Sequence, residues 1–403
     1  MSATRLPDDL VTAEETKIFL LVLDGVGGVQ DSRHGKTELQ AARTPNLDEL
    51  ARTGECGVLD PIAPGISPGS GPAHMALFGY DPIESNIGRG ILSALGVDFP
   101  LTEKDLAARA NFATADANGN IVDRRAGRIS SEVNRRLCDK LKRSVRLPHG
   151  VELFLQTESE HRAVAVFRGE GLSAAVSDTD PQRLDVPAKK PLALSPEARK
   201  SSEVVDSFLT QAAGILKDEH PANTMLLRGF AVRRPFKSLN ERFKLRAVAI
   251  AKYPMYRGLA RLVGMNVLPP CENMDSEVEL VKKELSCHDF FYWHVKKTDS
   301  HGEDGNFEEK VRTIELVDSK LPAILALSPD VIAVTADHST PSAMKSHSWH
   351  PVPLLIRAKT CRVDDVASFD EVSCAKGGIG RMPMIHLMSL LLAHAGRLTK
   401  YGA

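Results

Sequence analysis

No apolar run in this 403-residue chain approaches the ~20 residues needed to cross a bilayer as a helix, which excludes a membrane-spanning helical protein. Neither sign of charge is in excess. Lys and Arg number 51 against 52 Asp and Glu, for a net charge of −1. A nucleic-acid binder would show a basic excess, so that class is disfavoured. The basic stretches Lys140 to Arg146 and Arg233 to Lys237 are local and read as solvated. The six cysteines, Cys56, Cys138, Cys271, Cys287, Cys361 and Cys374, are scattered without a C-x-x-C pair. That spacing predicts a reduced, cytoplasmic protein and no disulfide framework. Met1 to Thr16 is polar and acidic with no apolar core, so it reads as a tail and not a signal peptide. No internal repeat or low-complexity tract interrupts the chain.

What the chain has is length and alternation. At 403 residues, with 42% hydrophobic and 26% charged content, it can build about two domains. Strand-like and helix-like segments alternate over residues 17–86 and again over 238–403, which predicts an α/β core with a mainly parallel sheet between helices. Helices are expected at Thr44 to Thr53, Met255 to Leu262, Glu277 to Leu285, Phe307 to Lys320 and Pro383 to Ala395. The middle stretch, 87–237, differs. Short strand-like runs such as Val151 to Gln156 and Ala163 to Arg168 lie between charged turns, and the segment reads as an inserted α+β domain. Pro181 to Ser195, rich in Pro and Lys, reads as an exposed loop.

Chemistry gathers beside the apolar strands of the core. Val331 to Val334 leads into Thr-Ala-Asp-His-Ser-Thr-Pro, Thr335 to Pro341. Asp337 and His338 offer a hard oxygen and an imidazole nitrogen to one small volume, as a divalent cation requires. A charged pair directly after a buried strand is poorly explained by packing. Asp24 ends the run Lys17 to Leu23 before Gly25, at the edge where open α/β sheets place ligands, although an Asp before Gly is more often a turn residue. Asp299, Glu303 and Asp304 follow the Phe290 to Val295 run within Thr-Asp-Ser-His-Gly-Glu-Asp-Gly, a stretch of ordinary loop composition. His347 precedes the strand-like Pro351 to Ile356 and could equally be a surface histidine. Singly, each signal has a bland reading. Together they predict a two-cation site of the kind that clamps both ends of a displacement.

Ser70 opens a predicted helix, with Pro72 in its first turn. It can serve simply as an N-cap. The same geometry puts a hydroxyl in the positive field of a helix N-terminus, which suits a phosphoryl acceptor.

With these residues in place the chain resembles the alkaline phosphatase superfamily. Within it, the chain resembles the cofactor-independent phosphoglycerate mutases of the archaeal type. The resemblance rests on Asp24-Gly25, Thr44 to Asp48, Ser70 in Pro-Gly-Ser-x-x-Ala-His, Phe78 to Pro82, Ala110 to Thr114, Val122 to Arg128, Ser177 to Pro181, Leu227 to Gly229, Ile250 to Gly258 and the Thr335 to Pro341 run. It implies an alkaline-phosphatase-like core (17–86 and 238–403) and an inserted substrate-binding domain (87–237). The implied reaction interconverts 3-phosphoglycerate and 2-phosphoglycerate, a step of glycolysis and gluconeogenesis, through a phosphoserine and without 2,3-bisphosphoglycerate. By the same resemblance Asp24, Ser70, Asp337 and His338 hold one cation, and Asp299, Glu303 and His347 the other. Glu303 stands where the family usually has histidine in Asp-x-x-x-His. That carboxylate tilts the expected pair toward Mn2+ or Mg2+, with Co2+ or Zn2+ as lesser options. His301 is the alternative ligand.

The resemblance also implies that Lys252 faces the transferring phosphoryl group. Arg228 and Arg257 are expected near it, and Arg124, Arg125, Arg128, His161, Arg162 and Arg168 to grip the carboxylate and phosphate of a small acid. Only about half of these arginines are expected to touch substrate, because most arginines of a chain are solvated. Asp123 and Asp178 are candidate general bases, with a turn role preferred for Asp178 and Asp180 before Pro181. Two lobes closing on the acid would exclude water. The competing expectations are a metal-dependent phosphomonoesterase or another phosphomutase of the superfamily, and a metal-bound scaffold without turnover.

Overall fold

The computed structural model describes residues 6–85, 87–233 and 237–402. Residues 1–5 of the polar tail, position 86 at the expected boundary, and 234–236 of the second basic stretch lie outside the described residues. The chain divides into two compact units, Met1–Asn86 with Lys237–Ala403, and Ile87–Phe236. No helix among the described residues is long and apolar enough to cross a membrane.

The first unit is built on an eight-stranded sheet. Its order is Asn266–Val267, Ala247–Ile250, Phe290–Val295, Ile18–Leu23, Val331–Thr335, Val352–Ala358, Glu55–Asp60 and Gly380–Pro383. Seven strands run the same way and only Val352–Ala358 is reversed. Ile18–Leu23, Phe290–Val295 and Val331–Thr335 are buried at every position, as strands covered on both faces must be. Their apolar runs are continuous for that reason. The mainly parallel α/β core is therefore as the alternation predicts.

Register fixes what meets at the sheet's C-terminal edge. Leu23 pairs with Val295 and Val22 with Thr335, so the residues after each strand emerge side by side. The reversed strand starts at this edge, since Val352 pairs with Leu59 near the end of its neighbour. Segments leaving three strands and one segment entering a fourth thus share one rim.

Helices form close to their expected places at Pro45–Arg52, Pro254–Leu262, Met274–Glu284 and Phe307–Asp318. The last expected helix is shorter, Leu387–His394, because Pro383 ends the edge strand Gly380–Pro383 and Met384–His386 form a 3-10 turn. The segment read as loop by composition is helical, Lys297–Asp304. Its Gly302 makes the segment look loop-like, and packing explains that glycine. A Cβ there would lie 2.2 Å from the Thr340 carbonyl oxygen. The polar tail is also more ordered than its composition indicates. Val11 is buried and bridges Leu398, and Thr12 donates its N–H to the Arg397 carbonyl at 2.9 Å.

The second unit holds a six-stranded antiparallel sheet. Asp105–Ala115 is its axis, paired with Arg162–Arg168 on one side and Thr224–Val232 on the other. Helices Ser131–Ser144 and Arg199–Leu216 bury Leu137, Leu141, Val205 and Phe208 with Phe112 and Phe167 of the sheet. Helix Arg89–Gly96 comes so close that a Cβ on Gly90 would sit 2.1 Å from the Ala107 carbonyl oxygen. Within the Pro181 to Ser195 stretch, Val186–Pro187 pairs with Asn120–Ile121, while Leu184, Leu192 and Leu194 are exposed.

Candidate active site

The rim of the first unit gathers four acids and two imidazoles. Ligand atoms of Asp24, Asp337 and His338 lie within 4.8 Å of one another, as do those of Asp299, His338 and His347. Asp24, Asp299, Asp337 and His338 are buried completely. His338 Nε2 stands 3.3 Å from Asp24 Oδ1 and 3.2 Å from Asp337 Oδ2. Ser70 Oγ is 3.2 Å from the same nitrogen. Ser70 is the first residue of helix Ser70–Leu77, whose N-cap is Gly69, so its hydroxyl does not serve as the helix cap.

Hydrogen bonding selects the tautomers. The Thr340 hydroxyl donates its one proton to Asp299 Oδ1 at 2.6 Å and lies 3.0 Å from His338 Nδ1. His338 Nδ1 must then be the donor of that contact, which leaves the Nε2 lone pair facing Asp24, Asp337 and Ser70. His347 Nδ1 donates to the Pro68 carbonyl at 2.9 Å, which leaves its Nε2 free 3.6 Å from Asp299 and 3.9 Å from Glu303. The two imidazoles stack at 3.7 Å. With Nδ1 of His338 taken by Thr340, Glu303, 3.9 Å from His347, is the further carboxylate beside Asp299 and His347.

Asp299 and Glu303 are four residues apart in helix Lys297–Asp304 and share a face. His301, two residues on, points elsewhere. Its charged neighbours are Lys297, Glu309 and Asp304, and burial lowers its pKa. The structure therefore brings Glu303 and not His301 to His347. Burial and the Asp299 charge raise the Glu303 carboxyl.

The donor set fits a cation. Both Asp24 carboxylate oxygens and Asp337 Oδ2 are buried and complete no hydrogen bond among the described residues. Burial raises the Asp24 carboxyl, but Lys296, with His294 and His338, outweighs it and holds the group well below its usual range. Asp337, buried and facing the Asp24 charge, is pushed well above it. Buried acids in mutual repulsion, with unsatisfied oxygens and two aimed imidazole lone pairs, are the polar environment a hard or borderline dication neutralises.

Lys296, absent from the sequence-based expectations, also reaches the rim. Its ammonium lies 3.2 Å from Asp24 Oδ2 and contacts Asp299 Oδ2, bridging the two groups. Burial works against that charge, yet Asp24 and Asp299 hold its pKa above the usual value. Its position one residue after Phe290–Val295, on the strand beside Asp24, was the available signal. Behind the rim, His294 Nε2 sits 3.3 Å from Asp24 and its ring stacks on Tyr256 at 3.8 Å. His74 Nδ1 donates to the Ser70 carbonyl at 2.9 Å, and burial lowers its pKa to about 4, so the ring is neutral.

Two further expected members, Lys252 and Arg257, have local partners. The Lys252 ammonium pairs with Glu277 at 3.1 Å and donates to the Glu272 carbonyl at 3.2 Å. Glu277 is fixed in turn by Trp293 Nε1 at 2.8 Å. Arg257 is buried and donates to the Leu268 carbonyl at 2.6 Å and the Ala251 carbonyl at 3.3 Å. That guanidinium ties its helix to the neighbouring loops.

In the second unit, Arg124 grips Asp180 through both oxygens at 2.8 and 2.7 Å. Arg228 stands 3.8 Å from the same carboxylate with its buried Nε unsatisfied. Burial, with the Arg89 and Arg109 charges, lowers Arg228 to about 10. His161 is buried, and burial with the charges of Arg162, Arg125 and Arg128 takes it down to about 4. Arg168 belongs to a different place, paired with Asp105 at 2.7 Å and stacked over Phe154. Asp123 accepts the N–H groups of Arg125 and Gly127 at 2.7 and 2.6 Å, and Asp178 accepts that of Gly229 at 2.7 Å. Both carboxylates accept backbone N–H groups of local turns.

The model of the 2,3-bisphosphoglycerate-independent phosphoglycerate mutase family matches residues 51–223. A probable enzyme of that name from Thermus thermophilus is 50% identical over 398 residues, covering 98% of each chain. The chain belongs to the 2,3-bisphosphoglycerate-independent phosphoglycerate mutase family. A further probable mutase, from Thermotoga maritima, is 47% identical over 98% of each chain. Among solved structures, the cofactor-independent phosphoglycerate mutase of Thermoplasma acidophilum is 32% identical with a TM-score of 0.71, over 94% of this chain and 100% of that one. A Pyrococcus horikoshii protein is also 32% identical, with a TM-score of 0.83 over 96% of this chain and 99% of that one.

Proposed function

We propose that the protein interconverts 3-phosphoglycerate and 2-phosphoglycerate through a phosphoserine at Ser70, in the cytoplasm and without 2,3-bisphosphoglycerate. One observation carries the reading: a lone hydroxyl at a helix start, 3.2 Å from an imidazole that also meets two buried acids with unsatisfied oxygens. Two divalent cations, Mn2+ or Mg2+, are assigned to Asp24, Asp337, His338 and Ser70, and to Asp299, Glu303 and His347. The carboxylate-rich donor set favours those ions over Zn2+. When bound, they supply Lewis-acid stabilisation of phosphoryl charge.

Ser70 Oγ attacks phosphorus and the bond to the glycerate C3 oxygen breaks, the serine proton passing in net to that oxygen. Glycerate turns, and its C2 oxygen takes the phosphoryl group back, restoring the hydroxyl of Ser70. Atoms and charge balance over the two displacements. Lys252 is assigned to the transferring phosphoryl group, and Lys296, whose ammonium lies among the rim carboxylates, to the charge beside it. The basic residues of the second unit, Arg124, Arg125, Arg128, Arg228 and Arg162 with His161, are assigned to the carboxylate of the small phosphorylated acid. Unsatisfied buried nitrogens on Arg228 and His161 support that assignment.

The deciding assay incubates the protein with 3-phosphoglycerate and Mn2+, couples it to enolase and follows free phosphate in parallel. Phosphoenolpyruvate without phosphate release is the expected result. Phosphate release alone would make the protein a phosphomonoesterase, and silence in both channels would leave a scaffold.

A further inference from the structure

Lys310 lies in helix Phe307–Asp318 and is completely buried. Its ammonium donates to the Thr340 carbonyl at 2.8 Å and the Gly27 carbonyl at 3.4 Å, and stands 3.7 Å from Glu38 Oε1. Gly27 follows Asp24 closely in the chain, and Thr340 follows His338. One cation thus holds the backbone of both loops that carry the first donor group. Two acids complete the arrangement from other helices. Glu38, in Glu38–Ala41, accepts the Ser342 N–H at 2.8 Å. Glu371, in Glu371–Cys374, accepts the Gly28 N–H at 2.7 Å and the Thr37 hydroxyl at 2.8 Å.

Charge is a costly filler here. Burial pulls Lys310 below its usual value, opposed by Glu38 and Glu371. Apolar side chains of similar volume would stabilise such a place as well or better. They could not, however, fix carbonyl oxygens and N–H groups at defined points. Tolerance is small as well. A Cβ on Gly28 would fall 2.0 Å from Glu38 Oε2, and one on Gly27 2.0 Å from Ser339 Oγ.

We propose that Lys310 is a positioning residue: with Glu38 and Glu371 it sets the separation of Asp24 from Asp337 and His338, and so the affinity of that group for a divalent cation. The inference rests on the metal reading above and adds what tunes it.

The test is calorimetric titration of the full chain with MnCl2, for wild type and Lys310→Met. It is run at a temperature where circular dichroism shows both proteins folded, with the mutase assay alongside. Mn2+ affinity is expected to fall about tenfold or more, the range seen when partners of ligating residues are lost. A merely structural lysine would lower the melting temperature and leave the affinity of the folded protein unchanged; that result overturns the proposal. Should Lys310→Met not fold, Glu38→Gln takes its place. A several-fold weaker affinity in that variant supports the positioning role, and equality with wild type overturns it. Wild-type protein that takes up no Mn2+ overturns the metal reading and the positioning role together. Mn2+ uptake without mutase turnover overturns the assigned reaction, and the affinity comparison still decides the role of Lys310.

Discussion

The two units treat charge in opposite ways. In the first, acids converge at a sheet edge and keep buried oxygens without hydrogen bonds. In the second, several arginines have carboxylate partners: Arg124 on Asp180, Arg109 on Glu158, Arg168 on Asp105. A compensated charge stabilises its own neighbourhood, and an uncompensated one stores affinity for something else. The rim of the first unit is therefore where chemistry is expected. In the second unit Arg228 and His161 keep buried nitrogens without a hydrogen-bond partner.

The sharpest way to break this contrast is Ser70→Ala. Turnover should fall by at least about a thousandfold, while Mn2+ affinity changes only several-fold. Retained turnover would remove the covalent route. Next in size is Asp337→Asn, which relieves repulsion with Asp24 and deletes a donor. Mn2+ binding is expected to weaken by about a hundredfold. EDTA should lower the melting temperature of Mn2+-treated wild type and leave that of the variant unmoved. A variant as EDTA-sensitive as wild type would show that Asp337 contributes little.

A third expectation concerns pH. The Glu371 carboxyl is raised from 4.5 to about 7 by burial. A raised acid favours folding below its unfolded value and loses that contribution as pH rises to the folded one. Wild type should therefore lose stability relative to Glu371→Gln by about 3 kcal/mol between pH 4.5 and pH 8. Parallel melts across that range check the sign; a constant gap would show that Glu371 does not titrate there. The smallest effect lies in the second unit. Asp180→Asn leaves Arg124 and Arg228 less compensated, and should cost about 2 kcal/mol of stability. No loss would show that the pair is screened, and the contrast between units would weaken.

Much of this was legible in the sequence. Continuous apolar runs announce doubly covered strands, and an acid at the end of such a run is conspicuous; Asp24 and Asp337-His338 are both found that way. The rest depended on contacts between distant segments. The partners of Lys252 and Arg257, Glu277 and the Leu268 carbonyl, come from segments the sequence does not join to them. Lys296 and Lys310 look like surface lysines until the register sets Lys296 beside Asp24 and helix packing buries Lys310. The Lys297–Asp304 helix was obscured by Gly302, a residue dictated by the Thr340 carbonyl and not by local propensity.

One reversed strand has a consequence for how the site tolerates change. Val352–Ala358 begins at the rim and ends beside Val331, at the opposite edge. Extra residues inserted after Ala358 would accumulate away from the donors. A single residue added between Thr340 and His350 would slide His347 past Asp299. Length variation in descendants of this chain should therefore pool behind the strand and spare the stretch ahead of it.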